Sequence, residues 1–343
     1  DHLDYHKTMK NYFNAKLILF KKMLKKNSSV ITDNNIQEFQ KIKKIILKKN
    51  LRLLLIESFQ NKYDLKNFKL IGNFQKKNLM MAIATSELCG LNRKKISKSI
   101  GKLKNVKGRL ELVKIFPNGT KVFVDFAHTP EAISIAIDAL KSHFRKDITI
   151  VFGCGGERDK DKRKKIGKIV NKACKKIYIT DDNPRNENPK KIRKSILKYI
   201  EKAKVTEIGN RTKAINEAIK NSRPNEIILI AGKGHEDIQD YGKTKIKISD
   251  FKIINRTNIK KNNDISENNI LINQIVQKKI NKGFLGVSIN SKSVKKGNLF
   301  IAIKGKKNDG HNFLKEANTN GANFFVISKQ VKKISKNKII KVA

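Results

Sequence analysis

Residues 121–163 read KVFVDFAHTPEAISIAIDALKSHFRKDITIVFGCGGERDKDKR, and in this stretch two short β-branched runs flank a segment with helical spacing. The apolar residues Ile133, Ile137 and Leu140 recur at the intervals of an amphipathic helix. The runs KVFVDF and DITIVFG on either side are typical of buried strands. The stretch therefore predicts a β-α-β unit, in which a helix joins two parallel strands of one sheet.

The same alternation continues to residue 235. Further strand-like runs are KKIYITD, KVTEIG and NEIILIAG, and the segments with helical periodicity are DKRKKIGKIVNKAC, NPKKIRKSILKYIEK and RTKAINEAIKNS. This pattern predicts an α/β fold over residues 113–255, with a Rossmann-like parallel sheet covered by helices on both faces. Such sheets bind ligands at the carboxyl ends of their strands, so we expect the functional residues to follow the strands.

The two ends of the chain depart from this pattern. Residues 1–112 are mostly helical at either end, with the strand-like pieces SSVIT and LRLLLIE between, and show no complete β-α-β unit. We interpret them as part of a domain. A polar stretch predicts a linker over 256–274, and the runs GFLGVSINSKSVKKGNLFIAIKG and ANFFVIS predict a truncated small α/β domain over 275–343. We expect the chain to be a fragment of a longer protein.

The composition favours some classes of protein over others. Lys and Arg number 77 against 30 Asp and Glu, a net charge of +47, but only eleven of the basic residues are Arg and the lysines are spread evenly. Without clustered basic residues and interleaved aromatics, binding to nucleic acid is the weakest of the hypotheses. No apolar run approaches the roughly 20 residues of a membrane helix, so we expect no membrane insertion. Three separated cysteines without a CxxC motif argue against disulfides and zinc, which fits a cytoplasmic protein.

Four polar loops follow successive strands. They are DFAHTP (125–130), GCGGERDK (153–160), DDNPR (181–185) and GKGHE (232–236). A single glycine-rich turn of this kind is more often a tight connection than a binding loop. Four such loops on successive strands would instead line one edge of the sheet with both positive and negative charges. Such an edge suits a zwitterionic ligand, whose ammonium pairs with a carboxylate and whose carboxylate takes a bidentate Arg.

Two features near the amino end suggest a metal or a modification. His2 and His6 are four residues apart, which on a helix would place them together as a metal pair or as an ordinary surface pair. Lys16 lies in the apolar segment YFNAKLILF, where a buried lysine needs a partner or a modification, although many such lysines extend to the surface.

The order DHLDYH, NAK, GNFQKKN, KGRLE, DFAHTP, GCGGERDKDKR, DDNPR and AGKGHED resembles the Mur ligase family over about residues 1–250. The resemblance is to the carboxyl two-thirds of the members that add an amino acid to UDP-N-acetylmuramoyl-L-alanyl-D-glutamate. It implies ATP and Mg²⁺ as cofactors and an acyl phosphate that the incoming amine attacks. No GxxxxGK[ST] phosphate loop occurs in the chain. Residues 1–112 are then the carboxyl part of a central ATP-binding domain, and we expect the fragment alone to be inactive.

The resemblance also assigns residues. It makes Lys16 a carbamylated lysine that helps His2 hold Mg²⁺, Asn78 an adenine contact, Arg109 a phosphate contact and Asp125 a ribose contact. His128 of the DFAHTP loop joins Lys16 and Arg109 in the expected catalytic set. The DNPR tetrapeptide resembles a meso-diaminopimelate recognition motif, for which the expected contacts are Arg158, Asp182, Asn183, Pro184, Arg185, Gly232 and Glu236.

Diaminopimelate differs from lysine by a distal carboxylate, which Arg185 would bind, so we expect the diaminopimelate-adding reaction. The alternatives within the fold are lysine addition and a folylpolyglutamate synthetase, and the DNPR and GKGHE strings disfavour both. Residues 275–343 resemble the amino-terminal substrate-binding domain of the Mur ligase that next adds D-alanyl-D-alanine, with Asn290-Ser291-Lys292 in place of the usual Asp-Ser-Arg. We therefore expect the parent protein to be a fusion of two consecutive ligases.

Overall fold

The computed structural model describes residues 3–259, 284, 286–305, 308–329, 331, 334–335 and 338–341. The chain divides into two compact units, Asp1–Lys260 and Lys261–Ala343. Most of the predicted linker, residues 260–274, lies outside the described residues.

The amino part of the first unit contains a small β-α-β unit, and the expectation that none is present was wrong. Strands β1 and β2 pair in parallel, with Ser29 opposite Arg52 and Thr32 opposite Leu55. The sequence marks SSVIT and LRLLLIE as strand-like, but their parallel pairing depends on tertiary contacts that periodicity does not reveal. The elements are α1 (Leu3–His6), α2 (Met9–Ile18), β1 (Ser29–Thr32), α3 (Phe39–Lys48), β2 (Arg52–Leu55), α4 (Glu57–Gln60), α5 (Asn73–Leu88) and α6 (Arg93–Ile100).

The carboxyl part of the first unit is a six-stranded sheet with strand order β3-β4-β8-β5-β6-β7. All neighbours are parallel except β3, which pairs antiparallel with β4. Its elements are β3 (Glu111–Ile115), β4 (Lys121–Asp125), α7 (Pro130–Phe144), β5 (Ile148–Phe152), α8 (Asp161–Ala173), β6 (Lys176–Ile179), α9 (Pro189–Leu197), β7 (Val205–Glu207), α10 (Arg211–Lys220), β8 (Ile227–Ala231), β9 (Ile238–Asp240), β10 (Lys245–Lys247) and α11 (Asp250–Arg256).

Helices cover both faces of this sheet, which confirms the predicted α/β architecture. On one face α7, α8 and α9 pack against Phe123, Ile150 and Leu229. On the other face α10 and α11 pack against the alternate strand residues, including Val124 and Ile230. Because successive strand residues point to opposite faces, β8 is apolar throughout and β4 and β5 are apolar at most positions, which is why these strands stand out in the sequence.

Three short strands were not predicted. β3 joins the edge of the sheet through the tight turn Pro117–Gly119, where Gly119 has a φ of 81°. β9 and β10 form an antiparallel hairpin after the GKGHE loop. β3 and β10 have half-exposed or exposed side chains, and the buried side chain of β9 is the polar Gln239, so a hydrophobic pattern does not mark these strands.

The second unit contains a four-stranded parallel sheet in chain order, β11-β12-β13-β14. Phe300, Leu314, Ala317 and Phe325 form the centre of its core. This agrees with the small α/β domain expected from the sequence. Its elements are β11 (Gly286–Ser288), β12 (Asn298–Ile301), α12 (Leu314–Thr319), β13 (Phe324–Ile327) and β14 (Ile339–Lys341). Over the described ranges of the whole chain, no helix has the length and apolar content needed to cross a membrane.

Candidate functional site

A cavity of about 430 Å³ opens at the carboxyl edge of the six-stranded sheet. The four polar loops that follow β4, β5, β6 and β8 form its walls, and Met9 of α2 borders it. Thr129 caps α7 by accepting a hydrogen bond from the Ala132 amide at 3.2 Å, so the DFAHTP loop enters its helix in a fixed geometry. The expected site residues that line the cavity are His128, Arg158, Asp182, Asn183, Arg185, Gly232 and Glu236.

Asp182 supplies an unpaired negative charge to this cavity. Its residue is 7% exposed, and its carboxylate makes no hydrogen bond or ion pair in the part of the chain that the structure describes. Gly232 faces it with a φ of 112°, and a Cβ at Gly232 would collide with the Asp182 carboxylate. Burying a carboxylate without a partner is unfavourable, so Asp182 is prepared to accept hydrogen bonds from a cationic ligand.

Arg185 supplies a partly used guanidinium on the same cavity. Its Nη1 donates to the Gly156 carbonyl at 2.7 Å and to the Asn183 carbonyl at 3.4 Å. Its Nε and Nη2 donate to no other residue that the structure describes. The backbone of Arg185 is left-handed, with a φ of 53°, and its amide donates to the Asp240 carbonyl at 2.9 Å. A guanidinium anchored on one side can present its remaining donors to a carboxylate. Arg158, which is exposed, lines the cavity as a second cation.

A buried salt bridge joins the first turn of α8 to the segment before α9, next to two of the cavity loops. Arg163 is 4% exposed and donates to both carboxylate oxygens of Glu187 at 2.7 Å, and its hydrogen bonds hold the pKa of Glu187 below its usual value. The Gly156 amide also donates to the Asn183 carbonyl at 2.9 Å. Pro184 does not line the cavity, because it is buried with its carbonyl against Gly156. Sequence reasoning missed Arg163, although the Lys-Arg step after the glycine-rich loop was visible.

The GKGHE loop holds a buried lysine that sequence reasoning placed on the open edge of the sheet. Lys233 is 1% exposed, and its ammonium donates to Asn183 Oδ1 at 3.0 Å and to Glu236 Oε2 at 3.1 Å. Asn183 Nδ2 donates in turn to the same Glu236 oxygen at 3.1 Å. Asn183 and Glu236 line the cavity, while Lys233 itself lies beneath it.

An aromatic and cationic stack lies beside the cavity. The Arg109 guanidinium carbon is 4.7 Å from the centre of the Phe126 ring, and the His235 ring stacks on Phe126 at 5.6 Å. The His128 ring contacts Phe126 edge-on, and its Nδ1 is 2.9 Å from the Phe126 carbonyl oxygen. These two contacts fix the orientation of the His128 ring. When Nδ1–H donates to the carbonyl, the lone pair of Nε2 is left available.

Asp125 lies at the start of the DFAHTP loop and has both carboxylate oxygens engaged. They accept hydrogen bonds from the Leu110 and Ala127 amides, each at 2.6 Å. Burial raises the pKa of Asp125, and these two bonds oppose the rise. Asp125 therefore ties the loop to the KGRLE turn. Neither Asp125 nor Arg109 lines the cavity.

The residues expected near ATP and Mg²⁺ lie apart from the cavity lining. Lys16 is exposed on α2, as expected of a lysine that extends to the surface; α2 buries only Leu17, and the Lys16 ammonium lies 5.5 Å from the Tyr12 ring centre. Asn78 is exposed on α5. His2 lies outside the described residues, and His6 packs against the Tyr5 and Tyr12 rings. Within the described ranges, no three His, Cys, Asp or Glu side chains cluster to hold a metal.

All three cysteines are free thiols, which agrees with the expected absence of disulfides. Cys89 is exposed, whereas Cys154 lines the cavity and Cys174 is buried in the core. Burial raises the pKa of both buried thiols to about 12, so neither is a reactive thiolate at neutral pH.

Comparison with known proteins gives a consistent result. The Mur ligase middle domain matches residues 1–86, the Mur ligase glutamate ligase domain matches residues 108–234, and the Mur ligase family catalytic domain matches residues 284–342. The UDP-N-acetylmuramoyl-L-alanyl-D-glutamate--2,6-diaminopimelate ligase of Rickettsia conorii is 38% identical over 279 residues, which are 75% of this chain and 57% of the relative. The similarly named protein of Chelativorans sp. is 32% identical over 278 residues, with the same shares covered.

The chain thus spans little more than half the length of these relatives. Among solved structures, MurF from Acinetobacter baumannii has a TM-score of 0.50 at 12% identity, over 68% of this chain and 54% of that chain. At that identity the likeness concerns the fold alone. Three matching domains, the relatives and the observed parallel-sheet architecture agree: the chain belongs to the Mur ligase family.

Proposed function

We propose that this chain is part of an ATP-dependent ligase that joins meso-diaminopimelate to UDP-N-acetylmuramoyl-L-alanyl-D-glutamate during peptidoglycan precursor synthesis. The observation that carries the proposal is that one cavity is lined by two groups of opposite charge. They are the Asp182 carboxylate, which has no partner among the described residues, and the Arg185 guanidinium, which uses only one of its nitrogens. The names of the relatives support the same activity. We further propose that the enzyme works in the cytoplasm, without nucleic acid and without membrane insertion.

Each end of the proposed amino acid has a matching group in the cavity. Asp182 and the open oxygen of Glu236 accept from an ammonium, while Arg185 and Arg158 bind a carboxylate. Lysine has no distal carboxylate, so it would leave the remaining Arg185 donors without a partner. A hydrogen bond between charged groups contributes about 1.5–3 kcal/mol, which corresponds to roughly 10–100-fold in affinity. The same contact argues against the lysine-adding alternative.

The proposed reaction has two steps. The γ-phosphoryl group of ATP passes to the glutamate carboxylate of the nucleotide substrate, and ADP leaves. The free amine of diaminopimelate then attacks the acyl carbon; the C–N bond forms, the bond from the acyl carbon to the phosphate oxygen breaks, and phosphate leaves. His128 lines the cavity with its Nδ1 held by the Phe126 carbonyl, so its Nε2 is the proposed acceptor for the amine proton. Arg109 is the proposed phosphate contact.

We propose the contacts to ATP and Mg²⁺ from the resemblance to the Mur ligase family. Asn78 and Asp125 would contact adenosine, and Mg²⁺, when bound, neutralises charge on the phosphoryl oxygens. Lys16 is exposed, which gives carbon dioxide and a metal access to its amine, so its position fits a carbamate ligand. His2 is the proposed second ligand. Asp125 keeps its carboxylate oriented through the Leu110 and Ala127 amides, which is compatible with a further hydrogen bond from a ribose hydroxyl.

A separate proposal concerns the second unit. We propose that residues 275–343 begin the ligase that next adds D-alanyl-D-alanine, so that the parent is a fusion. The family match over residues 284–342 and the loop Asn290-Ser291-Lys292 after β11 support it. Titration of the chain with UDP, followed by NMR, should shift the resonances of residues 288–293. If these resonances do not move at millimolar UDP, the proposed substrate domain is wrong.

Equilibrium binding tests the proposed amino-acid substrate. Calorimetric titration of the 343-residue chain with meso-diaminopimelate should give saturable 1:1 binding, and the Asp182→Asn variant should bind more weakly. Absence of binding by a folded chain would contradict the proposed acceptor.

A further inference from the structure

Lys233 combines two properties that an unremarkable surface lysine lacks. It is 1% exposed, and its three ammonium donors are all used: Asn183 Oδ1 at 3.0 Å, Glu236 Oε2 at 3.1 Å and the Ile238 carbonyl at 2.5 Å. A lysine is rarely buried so completely unless its charge is paired. Here its partners come from three elements: Asn183 of the loop after β6, Glu236 of the loop after β8, and Ile238 at the start of β9.

The two flanking glycines direct this side chain inward. Gly232 and Gly234 have φ values of 112° and 53°, in the left-handed region that favours glycine. A Cβ at Gly234 would approach the Cβ of Phe126 to 2.7 Å, so the loop must run close against the DFAHTP loop. The backbone of Lys233 is therefore held between two conformations that only glycine adopts easily, and its side chain passes beneath the cavity.

We propose that Lys233 is a positioning residue that orients Asn183 and Glu236 for binding of the amino-acid substrate. The inference rests on the proposed function, because it concerns the same cavity. Lys233 fixes the Asn183 amide, whose Oδ1 accepts from it and from the Asp240 amide at 3.0 Å. Asn183 Nδ2 and Lys233 then both donate to Glu236 Oε2, which turns the other Glu236 oxygen outward.

The consequence is a carboxylate whose direction is set before the ligand arrives. Half-exposed Glu236 would otherwise sample several rotamers, and a ligand ammonium would have to order it on binding. Lys233 does not line the cavity, so it would act on a ligand through its partners. This separates it from Arg158 and Arg185, which face the cavity directly.

Lys114 provides a matched control. Its ammonium also makes three hydrogen bonds, to the carbonyls of Ile254, Asn255 and Thr257, and it does not line the cavity. We expect Lys233→Met to weaken meso-diaminopimelate binding by the 343-residue chain by at least about tenfold, the loss expected for a charged hydrogen bond. Lys114→Met should bind like the wild type. Equal affinities for Lys233→Met and the wild type would overturn the proposal.

Two further measurements distinguish positioning from a general loss of structure. In a Glu236→Ala background, Lys233→Met should lose most of its effect on affinity, because the oriented carboxylate is already absent. A full additional loss there would overturn the proposal. If Lys233→Met does not fold, the proposal is tested in the wild type instead, through the ¹⁵N resonance of the Lys233 ammonium. Saturating meso-diaminopimelate should shift that resonance, and an unmoved resonance would contradict the positioning role.

The wild-type titration keeps this inference separate from the proposed function. If the wild type does not bind meso-diaminopimelate, the proposed substrate fails. If the wild type binds and Lys233→Met binds equally well, only the role of Lys233 fails.

Discussion

Asp181 and Asp182 are adjacent and equally buried, yet they should respond in opposite ways to the same substitution. Each is 7% exposed. Asp181 pairs with Arg193 and accepts a hydrogen bond from the Tyr241 hydroxyl at 2.9 Å, whereas the Asp182 carboxylate has no partner among the residues described. The first carboxylate therefore stabilises the fold, and the second is available to a ligand.

Asp182→Asn removes a negative charge that forms no hydrogen bond or ion pair with the described residues and interacts with buried Arg211 only electrostatically. We expect the free energy of unfolding to change by less than about 1 kcal/mol, because no ion pair is broken. The affinity for meso-diaminopimelate should fall by roughly 10–100-fold, the effect of losing about 1.5–3 kcal/mol from one hydrogen bond between charged groups. Urea unfolding and calorimetric titration of the same preparation measure the two quantities.

Asp181→Asn is the control with the opposite signature. It breaks a buried ion pair with Arg193, so the free energy of unfolding should fall by about 2–4 kcal/mol, while the affinity of the folded fraction should change little. The reasoning is refuted if Asp182→Asn destabilises the chain as much as Asp181→Asn, or if it leaves the affinity within about twofold of the wild type.

Further predictions concern acid stability, thiols and charge. Arg163 lowers the pKa of Glu187, so this pair stabilises the fold above the usual Glu value of 4.5 and is lost as the pH falls through the lowered value; Arg163→Met should flatten the acid side of the stability profile measured by urea unfolding. A thiol reagent at pH 7.5 should label Cys89 quickly and Cys154 and Cys174 only after denaturation, as mass spectrometry would show. Titration with DNA in increasing salt should reveal only weak binding without sequence preference.

The sequence predicts the sheet well where burial is two-sided. β8 is apolar along its whole length and β4 and β5 are apolar at most positions, because helices cover both faces, and the helices between them carry regular apolar stripes. The strands of the β-α-β unit around α3 appear in the sequence as the strand-like pieces SSVIT and LRLLLIE, but their parallel pairing depends on tertiary contacts that a local pattern does not reveal. The edge strand β3 escapes because its side chains are half-exposed or exposed, so no hydrophobic pattern marks it.

The candidate site is predicted in part for a similar reason. Strand order brings the four loops to one edge, so His128, Asp182 and Glu236, which come from three of these loops, were expected to line it together. The burial of Lys233 depends on the backbone angles of two glycines, which composition does not reveal. Lys16 shows a related limit: its apolar neighbourhood in the sequence left open whether the side chain is buried or extends to the surface, and in the structure α2 buries only Leu17. Residue type predicts the chemistry, while the direction of a side chain depends on packing.

Selectivity between meso-diaminopimelate and L-lysine tests the central claim most directly. Calorimetric titration of the chain with each amino acid should show meso-diaminopimelate binding at least about tenfold more tightly, because Arg185 has donors for the distal carboxylate that lysine lacks. In Arg185→Met the two affinities should become similar, mainly through weaker binding of meso-diaminopimelate. Equal affinities in the wild type, or an undiminished preference in Arg185→Met, would contradict the account.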